Sequence, residues 1–146
     1  MKNNDFTTTI LVDQTPQQAY KTILDVRSWW SGLHNEFFEG NSEKVGDEFS
    51  FRAGNGAHYN KQKLVELIPD QKMTWQVTEA DLNFVEKTDE WEGTQISFEI
   101  APENDKTKIT FIHKGLVPEF QCYNDCAPAW TQYIQDRLVE ALKDKY

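Results

Sequence analysis

The chain has 146 residues, an aromatic content of 13% and a net charge of −9 from 24 acidic and 15 basic side chains. Such acidity repels phosphate backbones and anionic membrane surfaces, which argues against nucleic acid or a charged bilayer as a partner. No stretch approaches the roughly 20 apolar residues a membrane span needs, and the polar opening Met1–Asp5 carries no signal-peptide core, so the expected location is a reducing cytoplasm with two free thiols.

Thr7 to Val12 reads as a strand, with Phe6, Ile10 and Val12 on one face. Thr15-Pro16 supplies a helix cap followed by proline at the first helical position, and Ala19, Tyr20, Ile23 and Leu24 recur at helical spacing to about Leu24. Asp25 to Ser31 reads as a second short helical turn bearing Val26, Trp29 and Trp30, with Gly32 as its stop. Strand candidates follow at 36–39, 47–52, 59–68 and 73–78, separated by Gly40-Asn41, Gly54-Asn55-Gly56 and Pro69-Asp70. Glu79 to Gly93 is acidic and irregular and reads as a loop or weak strand, able to act as a lid. Thr94 to Ala101 and Lys108 to Lys114 alternate again around a polar turn at 102–106.

From Ala127 to about Lys143 the period changes, with Trp130, Ile134, Leu138, Ala141 and Leu142 three and four residues apart. Pro128 is expected in the first turn of this helix, because an interior proline removes a hydrogen bond. The layout is that of an α+β domain, residues 1–146 as one unit: a curved antiparallel sheet wrapped around a long C-terminal helix, with two short helices after the first strand. A twisted sheet of this length curls, and one helix laid in its hollow cannot fill it, so a pocket is expected.

The order of these pieces resembles the helix-grip superfamily called START-like or SRPBCC, and within it the AHSA-type branch of chaperone-ATPase activators. The resemblance is carried by Thr8-Thr9-Ile10 through Pro16-Gln17-Gln18-Ala19-Tyr20, Val26-Arg27-Ser28-Trp29-Trp30, Gly46-Asp47-Glu48-Phe49, the Leu64 to Trp75 hairpin, Gly93 to Phe98, Thr107 to Leu116 and Ala129-Trp130. It implies a helix-grip fold and leaves three roles open: carriage of a small hydrophobic molecule, cyclase or dehydratase chemistry in the same cavity, or interaction with a chaperone in a stress response. The chain opens directly on the family's first strand, without the added N-terminal region of eukaryotic activators, which weighs against the last role.

Strand parity assigns Phe49, Phe51, Trp75, Phe98, Phe111 and His113 to the concave face, opposite Trp130 and Ile134, with Trp29, Trp30 and Phe37 closing one end. His113 is the candidate general base or ligand anchor, with His58 and Tyr59 as helpers, set against the plainer reading of a hydrogen-bonded core histidine. Cys122 and Cys126, spaced CxxxC, read as thiols packed under the helix start, and Asp89, Glu90 and Glu92 as a solvated acidic cluster. The scattered His34, His58 and His113 form no metal motif, and no phosphate loop, GxSxG or dinucleotide signature is present, so no metal or cofactor is expected. The expected partners are a small hydrophobic ligand (lipid, polyketide or aromatic metabolite) and, on the third role, a chaperone, for a monomer or weak homodimer.

Overall fold

The computed structural model describes residues 5–146; residues 1–4 of the polar opening segment lie outside them. The chain runs β1 (Phe6–Val12), α1 (Pro16–Leu24), α2 (Val26–Trp29), β2 (Phe37–Gly40), β3 (Glu48–Ala53), β4 (His58–Ile68), β5 (Lys72–Leu82), β6 (Gln95–Glu103) and β7 (Lys106–Lys114). A helix then continues unbroken through α3 (Tyr123–Gln132), a π-helical stretch (Tyr133–Leu138) and α4 (Val139–Lys145). The seven strands form one antiparallel sheet in the order β1-β7-β6-β5-β4-β3-β2.

Local chemistry accounts for most element starts. Thr15 caps α1 through a capping box with Gln18, and Pro16 occupies the position where a missing N–H costs nothing. The β4–β5 pairing slips register at Lys61/Gln62 and again at Leu64/Glu66. Each such bulge bends its strand and adds twist, which closes the sheet around the helix. Tight hairpins at Asp70 and Asn104 place each residue in the left-handed region that Asx side chains tolerate.

The hollow is occupied unevenly. Trp29, Trp75, Phe98 and Phe111 are fully buried, with Phe98 and Phe111 centroids 5.0 Å apart and Trp29 edge-on to Phe98 at 5.5 Å. The Trp29 indole N–H donates to the Ile23 carbonyl at 3.0 Å, so its polar handle is satisfied. Ile134, Leu138 and Leu142 of the helix seal this half from below. Fully burying each such side chain contributes about 1.5–3 kcal/mol, so this end is solid core.

Three boundaries differ from the sequence expectation. β5 extends to Leu82, taking in four residues of the acidic segment, because His58 to Lys61 of β4 continue to pair with them, as Gln62 does with Val77. The polar turn expected at 102–106 shrinks to Asn104-Asp105, with Glu103 and Lys106 paired across it. The last helix begins at Tyr123, four residues early, and carries Pro128 inside it. Both Pro128 and Asn124, whose carbonyl loses its N–H partner, are exposed, so water can satisfy that carbonyl.

Candidate functional site

At the other end of the hollow the helix and sheet separate around a partly open cleft of about 460 Å³. Four segments wall it: Phe51, Ala53, Gly54, Ala57 and His58 from the β3–β4 hairpin; Trp30 and His34 after α2; Phe84 and Trp91 from the β5–β6 loop; and Asp125, Cys126, Ala129, Trp130 and Tyr133 from the helix. The rings brace one another. Trp30 stacks on Phe51 at 4.3 Å and leans on Trp130 at 4.9 Å, while Trp91 lies nearly parallel to Trp130 at 5.9 Å.

Of the ten residues expected at a site, the structure brings three to this cleft: Phe51, His58 and Trp130. Phe49, Trp75, Phe98, Phe111 and Ile134 face the hollow as parity requires but are packed in its solid half. Tyr59 points to the opposite face, where its hydroxyl reaches Glu79 at 3.3 Å and the Arg52 guanidinium lies 4.3 Å from its ring centre.

His113 is fully buried behind the cleft rather than on its wall. The Trp130 indole N–H donates to its Nδ1 at 3.0 Å, and an indole nitrogen can only donate, so Nδ1 holds the lone pair and the proton sits on Nε2. Nε2 donates to Thr94 Oγ1 at 2.8 Å, and the Thr94 hydroxyl in turn donates to the Trp91 carbonyl at 2.6 Å. Burial holds the imidazole neutral, pushing its pKa down to about 3. This chain ties two cleft-wall tryptophans together, and neither His113 nitrogen faces the cleft.

His58 is in a different situation. Its ring meets Trp91 edge-on at 4.5 Å and Phe51 at 5.7 Å. Burial lowers its pKa to about 4, and its buried Nδ1 has no protein partner. A polar atom with its desolvation uncompensated is unusual in a native core. It continues inward along β4 as Asn60 and Gln62, which bond each other at 2.8 Å while leaving Asn60 Nδ2 and Gln62 Oε1 without protein partners.

The β5–β6 loop carries Trp91 into the cleft and is fastened at its base. Glu90 is 9% exposed rather than solvated, and its carboxylate accepts from Gln121 N at 2.8 Å and Cys122 N at 3.2 Å at the start of α3. Cys122 and Cys126 are free and buried, one turn apart. The neighbouring Cys126 thiol lowers the Cys122 pKa despite its burial, and the same coupling, with burial, pushes Cys126 up. Opposite them, Tyr133 donates to Glu36 at 2.5 Å, and Glu36 also gathers the backbone N–H groups of Gly32, Leu33 and His34. Burial works to raise the Glu36 pKa, but these donors outweigh it and hold the carboxyl below its usual range.

Trp91, Phe84, Cys126 and Tyr133 were not among the residues expected at a site. The signal for Trp91 was present in the sequence as a large ring in an acidic loop; it is buried, whereas Phe84 lines the rim and stays 42% exposed. Tyr133 lies three residues after Trp130 and shares its helix face. Among the described residues, no three His, Cys, Asp or Glu side chains converge as a metal ion would need, and no helix is long and apolar enough to cross a membrane.

No curated protein sequence matches the chain significantly. Solved structures do. The solution structure of the Aha1 dimer from Colwellia psychrerythraea superposes with a TM-score of 0.73 at 22% identity, over 94% of this chain and 95% of that one. A protein from Arthrobacter aurescens gives 0.74 at 13% identity over 97% and 87%, and one from Chromobacterium violaceum 0.71 at 15% over 96% and 97%. At these identities the likeness is one of fold. Residues 13–143 match the family described as activator of Hsp90 ATPase homolog 1-like protein, and with nine-tenths of its length in that match the chain belongs to this AHSA-type branch of the START-like helix-grip superfamily.

Proposed function

We propose that this protein binds one small, largely apolar, ring-bearing molecule in the cleft between the β3–β4 hairpin and the first half of the C-terminal helix. The observation that carries the reading is the conjunction of a 460 Å³ ring-walled space with a buried, unpartnered nitrogen of His58 in its wall. Ligand sites have this character: roughly 300–1,000 Å³, mostly apolar, with a few polar groups to fix orientation. The rings supply contact area, and His58, neutral near pH 7, offers one hydrogen bond. Acid–base catalysis through His113 finds no support in its surroundings, since both nitrogens are already engaged.

A direct test is a fluorescence titration with N-phenyl-1-naphthylamine, a neutral apolar probe, on the wild type and on Ala129→Trp, which fills the cleft. Saturable one-to-one binding by the wild type and its loss in a folded variant are expected. Equal binding by both, or none by the wild type, removes the proposal. Partnership with the Hsp90 chaperone is a second reading, supported by the family match; pull-down with purified Hsp90 and a change in its ATPase rate would carry it.

A further inference from the structure

We infer that the molecule the cleft selects is a ring-bearing cation, an N-alkylated or protonated heteroaromatic, and that aromatic acids and fatty acids are rejected. The inference rests on the ligand-binding reading and adds a sign of charge to it.

Three independent features agree. First, none of the fourteen residues lining the cleft is lysine or arginine, and the formal charge among them is the Asp125 carboxylate. A ligand carboxylate would therefore lose its hydration and meet no compensating cation, a loss of several kcal/mol. Second, the helix N-terminus beside the cleft, where an anion would ordinarily settle, is already occupied. Glu90 takes the N–H groups of Gln121 and Cys122, and Asp125 lies in the first turn. That positive end is neutralised and backed by two carboxylates. Third, the walls include Trp30, Trp91 and Trp130, stacked against Phe51 and one another, and indole is the ring that attracts cations most strongly. The net charge of −9 adds a field that draws cations toward the molecule. His58, held neutral by burial, opposes none of this while still offering its hydrogen bond.

The test uses three probes of one shape and different charge: N-methylquinolinium, 1-methylnaphthalene and 1-naphthoate. They are titrated calorimetrically at pH 8. N-methylquinolinium is expected to bind about tenfold or more tightly than 1-naphthoate, from a cation–π and carboxylate contribution of about 1.4 kcal/mol or more. In Asp125→Asn, whose side chain is exposed and whose fold is checked by near-ultraviolet circular dichroism, that ratio is expected to shrink by about threefold or more, the surface-charge share of the effect. Naphthoate binding as tightly as the quinolinium, or an unchanged ratio in Asp125→Asn, overturns the charge selectivity. Binding of 1-methylnaphthalene alone leaves the cleft as an apolar site and removes the cation, whereas silence from all three probes removes the ligand reading and this inference together.

Discussion

His58 and His113 are the same side chain, His58 half-buried on the cleft wall and His113 fully buried, yet they have opposite structural roles. His113 gives both nitrogens to core partners, so truncation strands the buried Trp130 indole N–H, while the Thr94 hydroxyl keeps its bond to the Trp91 carbonyl. His113→Ala is expected to cost about 3–5 kcal/mol, the sum of a cavity and one orphaned buried donor. His58 has a buried nitrogen with no protein partner to lose, so His58→Phe, which removes the unmet polar atom and keeps a ring, should cost less than about 1 kcal/mol or stabilise. Urea midpoints of the two variants against wild type check both. Parity in the sequence put His113 on the inner face, and His58 was expected only near the same mouth. It could not say which would be bonded, because the partners, Thr94 and Trp130, lie 19 and 17 residues away along the chain.

At the scale of elements, the wall opposite the fastened loop is held by the π-helical stretch. It presents Tyr133 to Glu36 and Arg137, whose Nε–H donates to the Ser31 carbonyl at 2.8 Å, so one turn of helix grips both ends of the segment after α2. Gly32 sits between them at φ +87°, a conformation L side chains rarely adopt, and a Cβ there would lie 2.7 Å from the Arg137 guanidinium, which would have to shift. π-helical turns recur where a helix must direct side chains to a functional site. Tyr133→Phe removes one of the donors to the Glu36 carboxylate and is expected to lower stability by about 1–2 kcal/mol. It should also speed amide exchange at Gly32, Leu33 and His34, and protection unchanged at those amides would separate this clasp from the rim it is argued to hold. Helical periodicity located the helix and its apolar stripe. It could not show the wider turn, which arises from tertiary grips rather than from local propensity.

For the molecule as a whole, both desolvated histidines couple folding to pH. Their folded pKa values, about 4 and about 3, lie below the unfolded value near 6.5, so the unfolded chain binds more protons over the interval between. This contribution is fully present above pH 6.5 and is lost as pH falls, at about 1.4 kcal/mol per unit for each histidine, levelling only when the native imidazoles protonate in turn. Glu36 adds loss of the same sign below its ordinary range, since its native pKa is also lowered. Stability from urea unfolding should therefore drop steeply between pH 6.5 and 4.5, with about half the slope in His58→Phe. A flat profile would mean that the imidazoles are not buried as described.

The sequence by itself determined the architecture: period-two alternation in the strands, a capped first helix, period-3.6 spacing at the end, and an order of pieces matching one family. These are local patterns, each readable within a dozen residues. It also determined which faces turn inward, because side-chain direction alternates strictly along a strand. Only the tertiary structure decided which part of the hollow is filled and which stays open. That outcome depends on how the volumes of Trp29, Trp75, Phe98 and Phe111 pack against the helix at one end, and on where a distant acidic loop delivers Trp91 at the other. Packing of this kind is a sum over residues far apart in sequence, and no window of the chain contains it.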